Sequence, residues 1–269
     1  MRGSWLAVTL LFLRVAAARD VTVAVFGLFH PTRLEVAAVK GEPLTVRRPG
    51  QPDALVNWPG SLTVIGPAET AAASHFVLRV PGRIERAFTG RLAVYQQGGE
   101  LTPVIAMGLE TAVAGIVAAE SPPGSPDESL RAQAVVARSY LLSAHGRHAR
   151  SDFCDTTHCQ FLREAPDASS PYARAARNTR GMVLVYNGAP VEALYSADCG
   201  GRTRTLAEAR LASGPYPYFA VDCPIRGGPS SGHRIGLCQR GSAAMARAGA
   251  SWRDILRLYF PGTGVSVSE

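Results

Sequence analysis

Four soft donors, His148, Cys154, His158 and Cys159, fall within twelve consecutive positions, and any fold of this chain has to accommodate them together. Thiolate sulfur and imidazole nitrogen are the usual ligands of tetrahedral zinc, and four protein ligands make a closed, structural site. The spacing is not that of a zinc finger, and the adjacent pair His158-Cys159 requires an irregular backbone. His145 is a substitute for His148 at this spacing. In an exported protein a Cys154–Cys159 disulfide competes with the metal, and spacing alone leaves both readings open.

The chain ahead of this cluster reads as two helices. Leu109 to Ala119 carries apolar residues at helical spacing, ends on Glu120 and is followed by Ser121-Pro122-Pro123-Gly124. Ser125 is placed to cap a second helix, with Pro126 at its first position and Glu128 completing a capping box. Leu130, Ala134, Ala137 and Leu141 form one apolar stripe, and Gln133 and Arg138 interrupt this Ala-rich helix with polar groups. A carboxylate at a helix C-terminus meets the negative end of the macrodipole. Ile116, Val117 and Ala119 would desolvate it further, and a carboxyl raised in this way suits a general acid. A solvated helix-end glutamate is the plainer reading of Glu120, and position alone favours it.

Residues 19–95 have a strand pattern, with short alternating runs at Val21–Val25, Glu35–Val39, Leu44–Val46, Leu62–Ile65, Phe76–Val80 and Leu92–Tyr95. Gly, Pro and Asn separate them. Beyond the Cys/His cluster a helix starts at Ser170-Pro171 and ends before Gly181. Met182 to Tyr186, Asn187-Gly188 and Ala189 to Tyr195 read as a hairpin. Helical segments at Ala243–Arg247 and Ser251–Tyr259 close the pattern before Pro261-Gly262. The class is α+β, mixed helices and antiparallel strands with an N-terminal strand-rich module.

Arg2, the apolar run Trp5–Leu13 and Ala16-Ala17-Ala18 have the layout of a secretory signal peptide over residues 1–18, cleaved after Ala18. An uncleaved anchor is the alternative, although the run is short for a span and Arg14 interrupts it. No later segment is apolar for long enough to span a bilayer. The mature chain is therefore expected in the periplasm, the cell envelope or outside the cell. Cleavage removes Arg2 and Arg14 and no acid, lowering the net charge of +7 by two. A modest basic surplus suits anionic partners, and export makes nucleic acid the poorest of them. In an oxidising compartment one pair among Cys199, Cys223 and Cys238 would form a disulfide, with Cys199–Cys223 preferred because both flank Gly- and Pro-rich loops. The run Gly232 to Gly241 has no phosphate-loop or dinucleotide pattern. His233 and Cys238 there read either as a thiol–base pair or as a tight turn with a buried thiol.

With these pieces in place, the chain resembles the SpoIID/LytB family over roughly Leu92 to Gly262. The likeness rests on Gly115-Ile116-Val117-Ala118-Ala119-Glu120, on Leu130 to Tyr140, and on Cys154-Asp155-Thr156-Thr157-His158-Cys159-Gln160. It continues through Gly181–Gly188, Ser196–Thr203, Gly232–Gly241 and Tyr259–Thr263. The resemblance implies a catalytic domain over residues 96–269, with Glu120 as the catalytic acid and Arg138 at a second functional position. It also implies zinc held by His148, Cys154, His158 and Cys159. Two departures mark this chain: Pro224 to Ser231 is short where the family has a longer insertion, and Arg234 replaces a small residue.

The resulting expectation is an exported lytic transglycosylase acting on peptidoglycan glycan strands between N-acetylmuramic acid and N-acetylglucosamine, leaving a 1,6-anhydro end. Gln133, Tyr195, His233 and Gln239 are the expected groove residues. The alternative is a non-catalytic wall-binding protein that stimulates an amidase partner. A zinc hydrolase ranks last, because two His and two Cys leave no open coordination position.

Overall fold

A computed structural model describes residues 19–60, 62–143, 148–227 and 230–268. The expected signal segment and His145 lie outside the described residues. Strands β1 (Asp20–Ala24), β2 (Leu34–Ala38), β3 (Leu44–Arg47), β4 (Ala54–Val56), β5 (Thr63–Ile65), β6 (Thr70–Val80), β7 (Ile84–Gln97) and β8 (Glu100–Gly108) build one large sheet. Its order is β4-β3-β6-β7-β8-β1, antiparallel throughout, with β2 pairing both β5 and β6. The α+β class expected from the pattern is what the structure has. Strands β6 and β7 are far longer than their apolar cores at Phe76–Val80 and Leu92–Tyr95. Outside those runs most of their residues are half-buried or exposed, at Thr70–His75 in β6 and on both sides of the run in β7, which weakens the signal there. The sheet is continuous across residue 95, because β7 runs past it and pairs with β8 from Arg91↔Ala106 to Gln97↔Glu100.

β8 feeds directly into α1 (Leu109–Glu120), which packs on α2 (Asp127–Ser143). α2 is the axle of the molecule. Leu130, Ala134, Ala137, Tyr140 and Leu141 face a core shared with the sheet, while Ala132, Val135 and Val136 face a second core built by the C-terminal third. A helix buried on both sides cannot keep a single apolar stripe, which explains why its small residues run all round it. The expected capping box is absent at its start. The Ser125 hydroxyl donates to the Pro122 carbonyl at 2.6 Å, and Glu128 instead accepts the Trp252 N–H at 2.7 Å and pairs with Arg131.

After α2 come β9 (Phe153–Cys154), α3 (Pro171–Asn178), β10 (Met182–Tyr186), β11 (Ala189–Pro190) and β12 (Tyr195–Ser196). β9 joins the large sheet in parallel with β1, through Val23↔Phe153 and Ala24↔Cys154. Asn187 and Gly188 both have positive φ, as a type I′ turn requires. The hairpin's second strand stops at Pro190, short of the expected Tyr195. Tyr195 instead pairs in parallel with β13 (Leu237–Cys238), whose chain continues as α4 (Gln239–Arg247), α5 (Trp252–Tyr259) and β14 (Gly264–Val267). α4 thus begins four residues before the apolar pattern predicts, because Cys238 caps it by accepting the Gly241 N–H. Among the described residues no helix is long and apolar enough to cross a membrane.

Candidate active site and metal centre

Glu120 ends α1 at the seam between the two cores. Gly115 sets where that end lies: a Cβ there would stand 2.6 Å from the Arg163 carbonyl, so α1 lies tightly against the 160–163 segment. The same segment reaches the acid, and the Phe161 N–H donates to Glu120 Oε1 at 2.7 Å. Burial pushes the Glu120 carboxyl above its ordinary value, and the Phe161 amide and the Tyr195 hydroxyl partly oppose it. The Tyr195 hydroxyl is buried beside the acid, outside normal hydrogen-bond geometry with any described residue. The desolvation expected at Glu120 from its sequence neighbours is therefore present, and its source is the tertiary packing of loops onto the helix end.

A cavity of about 310 Å³ opens at this carboxyl, lined among others by Glu120, Gln160, Tyr195, His233 and Gln239. Glu120 is the one carboxylate among its described lining residues. A second cavity of about 460 Å³ shares Tyr140, Thr157, Cys159, Leu194 and His233 with the first, so the two form one continuous groove. Tyr186, Tyr216 and Tyr218 line its far half, together with Glu192. Aromatic faces beside polar groups suit a sugar polymer, whose rings present C–H faces and hydroxyl edges.

The structure brings Tyr195, His233 and Gln239 to the acid. The parallel β12–β13 pair does this, since it sets Tyr195 beside the strand that leads into Gln239. Gln239 Nε2 donates to the Glu120 backbone carbonyl at 3.0 Å, capping an open end of α1. His233 Nδ1 accepts the Ile235 N–H at 3.0 Å, and burial lowers its pKa, which favours a neutral ring. Gln133 does not line the groove. It is 2% exposed and stands behind Gln239, 3.4 Å from its amide, so it supports that residue.

Arg138, expected at a second functional position, does not line the groove either. Its side chain is fully buried and forms a fork on Glu110 at 2.9 and 2.7 Å, with further bonds to the carbonyls of Ala176 and Met182. Glu110 begins α1 and Glu120 ends it, about 15 Å apart at 1.5 Å per residue. Arg138 clamps α1, α2, α3 and β10 together, and acts on the acid only through the position of α1. The sequence signal was present: an arginine among Val135, Val136 and Ala137 needs a buried partner.

The Cys/His cluster assembles as the spacing allows. His148 Nε2 lies 3.3 Å from Cys159 Sγ, and His158 Nδ1 lies 3.9 and 3.6 Å from the Cys154 and Cys159 sulfurs. All four donor atoms lie within 4.8 Å of one another, and both thiols are free. One tetrahedral zinc with ordinary bond lengths requires nitrogen–sulfur edges of about 3.6 Å, so the donor set fits that ion. Hydrogen bonding from Cys159 and Thr156 holds the Cys154 thiol well below its ordinary pKa, and Cys159 is pushed up in return. The large sheet anchors this loop. Asp152 accepts from the Thr22 amide and hydroxyl, and Asp155 accepts the Phe26 N–H and pairs with Arg86.

Gln160 closes the motif Cys154 to Gln160, and local sequence gives it no role. It directly follows Cys159, is 4% exposed and lines the acid's cavity, and neither of its amide atoms has a hydrogen-bond partner among the described residues. A buried amide left open toward a cleft is costly unless a ligand completes it. The signal available in sequence was its position between the Cys/His cluster and Phe161.

Residues 97–186 match the family model described as SpoIID, Stage II sporulation protein. The chain is 34% identical over 102 residues to the Amidase enhancer of Bacillus subtilis (strain 168), covering 38% of this chain and 14% of that protein. It is also 29% identical over 132 residues to an uncharacterized protein of Brachyspira hyodysenteriae, covering 48% of this chain and 36% of that one. The chain thus spans only a minor part of either relative's length. The matched segment carries β8, the α1–α2 pair, the Cys/His loop and β10, so the likeness to the SpoIID family covers the elements that carry Glu120 and the Cys/His cluster.

Proposed function

We propose that this chain is an exported lytic transglycosylase that cleaves peptidoglycan glycan strands, with Glu120 serving as acid and then as base. The observation that carries the reading is a desolvated, helix-end carboxyl in a sugar-sized groove, with no second carboxylate in its own cavity. Glu120 donates its proton to the glycosidic oxygen as the bond from C1 of N-acetylmuramic acid breaks. The carboxylate then takes the proton of the muramoyl C6 hydroxyl, whose oxygen bonds to C1 and closes the 1,6-anhydro ring. The proton returns to Glu120 and no water is consumed. Phe161 N–H and Tyr195 Oη stand ready to stabilise the carboxylate between the two steps. Gln160, His233 and Gln239 present polar groups to the glycan.

In this reading His148, Cys154, His158 and Cys159 hold one structural zinc. It would fix the loop that delivers Gln160 and Phe161 to the acid, and it takes no part in bond cleavage. Residues 1–18 direct export, which the wall substrate requires.

A glycosidase that hydrolyses needs a second carboxylate, and Glu192 in the adjoining cavity is the residue placed to be one. Cleavage of purified glycan strands separates the cases. Glu120→Gln should lose about 10²–10⁴-fold in rate, the usual worth of general acid–base catalysis, while Glu192→Gln keeps activity within a few fold. An equal collapse in both variants would contradict the one-acid mechanism.

The likeness to a protein named Amidase enhancer favours a second function for the groove. In it the same groove binds glycan without cleaving it, and the bound chain stimulates an amidase.

A further inference from the structure

Away from the groove, the second core closes around three more cysteines. Cys199 follows β12, Cys223 lies in the loop before the shortened 224–231 segment, and Cys238 ends β13 and caps α4. They are 1%, 3% and 1% exposed, all three are free thiols, and their sulfurs lie within 4.8 Å of one another. The sequence pattern paired Cys199 with Cys223 and left Cys238 over. The fold instead brings in the third sulfur, because β12 and β13 pair in parallel and end side by side.

The groups around the sulfurs are donors. The backbone N–H groups of Gly241 and Cys199 point at Cys238 Sγ, at 3.3 and 3.4 Å. The Tyr259 hydroxyl lies 3.2 Å from Cys223 Sγ. A neutral thiol is a poor acceptor, so spending buried amides on it leaves them poorly satisfied. A thiolate makes the same contacts charge-assisted. The N-terminus of α4 adds favourable potential at Cys238. Gly241 keeps the space clear, since a Cβ there would collide with Cys223 Sγ and the Tyr259 hydroxyl.

Three thiolates converging here would need a cation to remain buried. We propose that Cys199, Cys223 and Cys238 form a second metal site, a three-thiolate pocket for a soft d10 cation. A trigonal ion with metal–sulfur bonds of about 2.3 Å needs sulfur–sulfur separations of about 4.0 Å, inside the observed limit. The site differs from the Cys/His centre in having no imidazole, no solvent access and a softer donor set. Bound there, the cation would tie the ends of β12 and β13 together just before Gln239.

Cadmium is the probe, because its NMR signal reports the donor atoms and moves downfield with each added thiolate. Reduced full-length protein titrated anaerobically with ¹¹³Cd(II) should take up two equivalents and show two resonances, one at the three-sulfur position and one at the two-sulfur, two-nitrogen position. Cys199→Ser should lose only the former, and His158→Ala should lose only the latter. The wild-type spectrum decides the question even where a variant fails to fold. A single resonance at the mixed-ligand position would overturn the proposal. So would a disulfide joining any two of Cys199, Cys223 and Cys238 in a non-reducing peptide map of protein purified anaerobically.

Discussion

At the scale of the single residue, the behaviour of Glu120 is set by what surrounds its carboxyl. Burial raises its pKa in the folded protein, so the acid form persists to higher pH than for a free glutamate. Glycan cleavage should therefore fall as pH rises through that raised value, giving an alkaline limb in kcat. The Tyr195 hydroxyl favours the carboxylate, so Tyr195→Phe should raise the Glu120 pKa further and move that limb to higher pH. A pH–rate profile of the two proteins checks the sign, and a limb that moves down or disappears would contradict the pairing. Neither Tyr195 nor Gln160 could be assigned from local sequence. The environment of the first depends on a strand pair closed across forty residues, and the second shows its role only as a buried amide without a partner.

At the scale of the element, α1 is held at both ends, by Arg138 on Glu110 and by the Phe161 and Gln239 contacts at Glu120. Removing the buried Arg138 leaves the Ala176 and Met182 carbonyls and the half-buried Glu110 without their partner, so Arg138→Ala should cost about 1–3 kcal/mol in denaturant unfolding. Arg138→Lys should recover little, because an ammonium cannot make the two-pronged contact on Glu110. The Cys/His loop works in the same way on the other side of the acid. If the cluster holds the proposed zinc, His158→Ala should abolish zinc uptake and raise amide hydrogen exchange across residues 154–161, with the large sheet unchanged. Unchanged exchange after metal loss would mean the sheet contacts of Asp152 and Asp155 suffice. The α1–α2 pair and the clustering of the four Cys/His donors were legible because periodicity and donor spacing are local. The position of Arg138 was legible, but not its role, since Glu110 lies twenty-eight residues away on another helix. The capping box at Ser125 failed because Glu128 is drawn to the start of α5.

At the scale of the whole molecule, two cores share α2, and the groove runs along the seam between them. The sheet side supplies the anchored ligand loop, and the C-terminal side supplies Tyr195, His233 and Gln239. Neither side holds the groove without the other. The short strands of residues 19–95 were legible as strands, but their joining into one sheet with β8 and β9 was not, because the pairings close over long stretches of chain. The catalytic claim is tested most directly by digesting purified peptidoglycan with the mature protein and weighing the released fragments. Wild type should release muropeptides one water lighter than hydrolysis products, and Glu120→Gln should bind the glycan and release none. Fragments at the hydrolytic mass, or equal silence from both proteins while both stimulate an amidase, would contradict it.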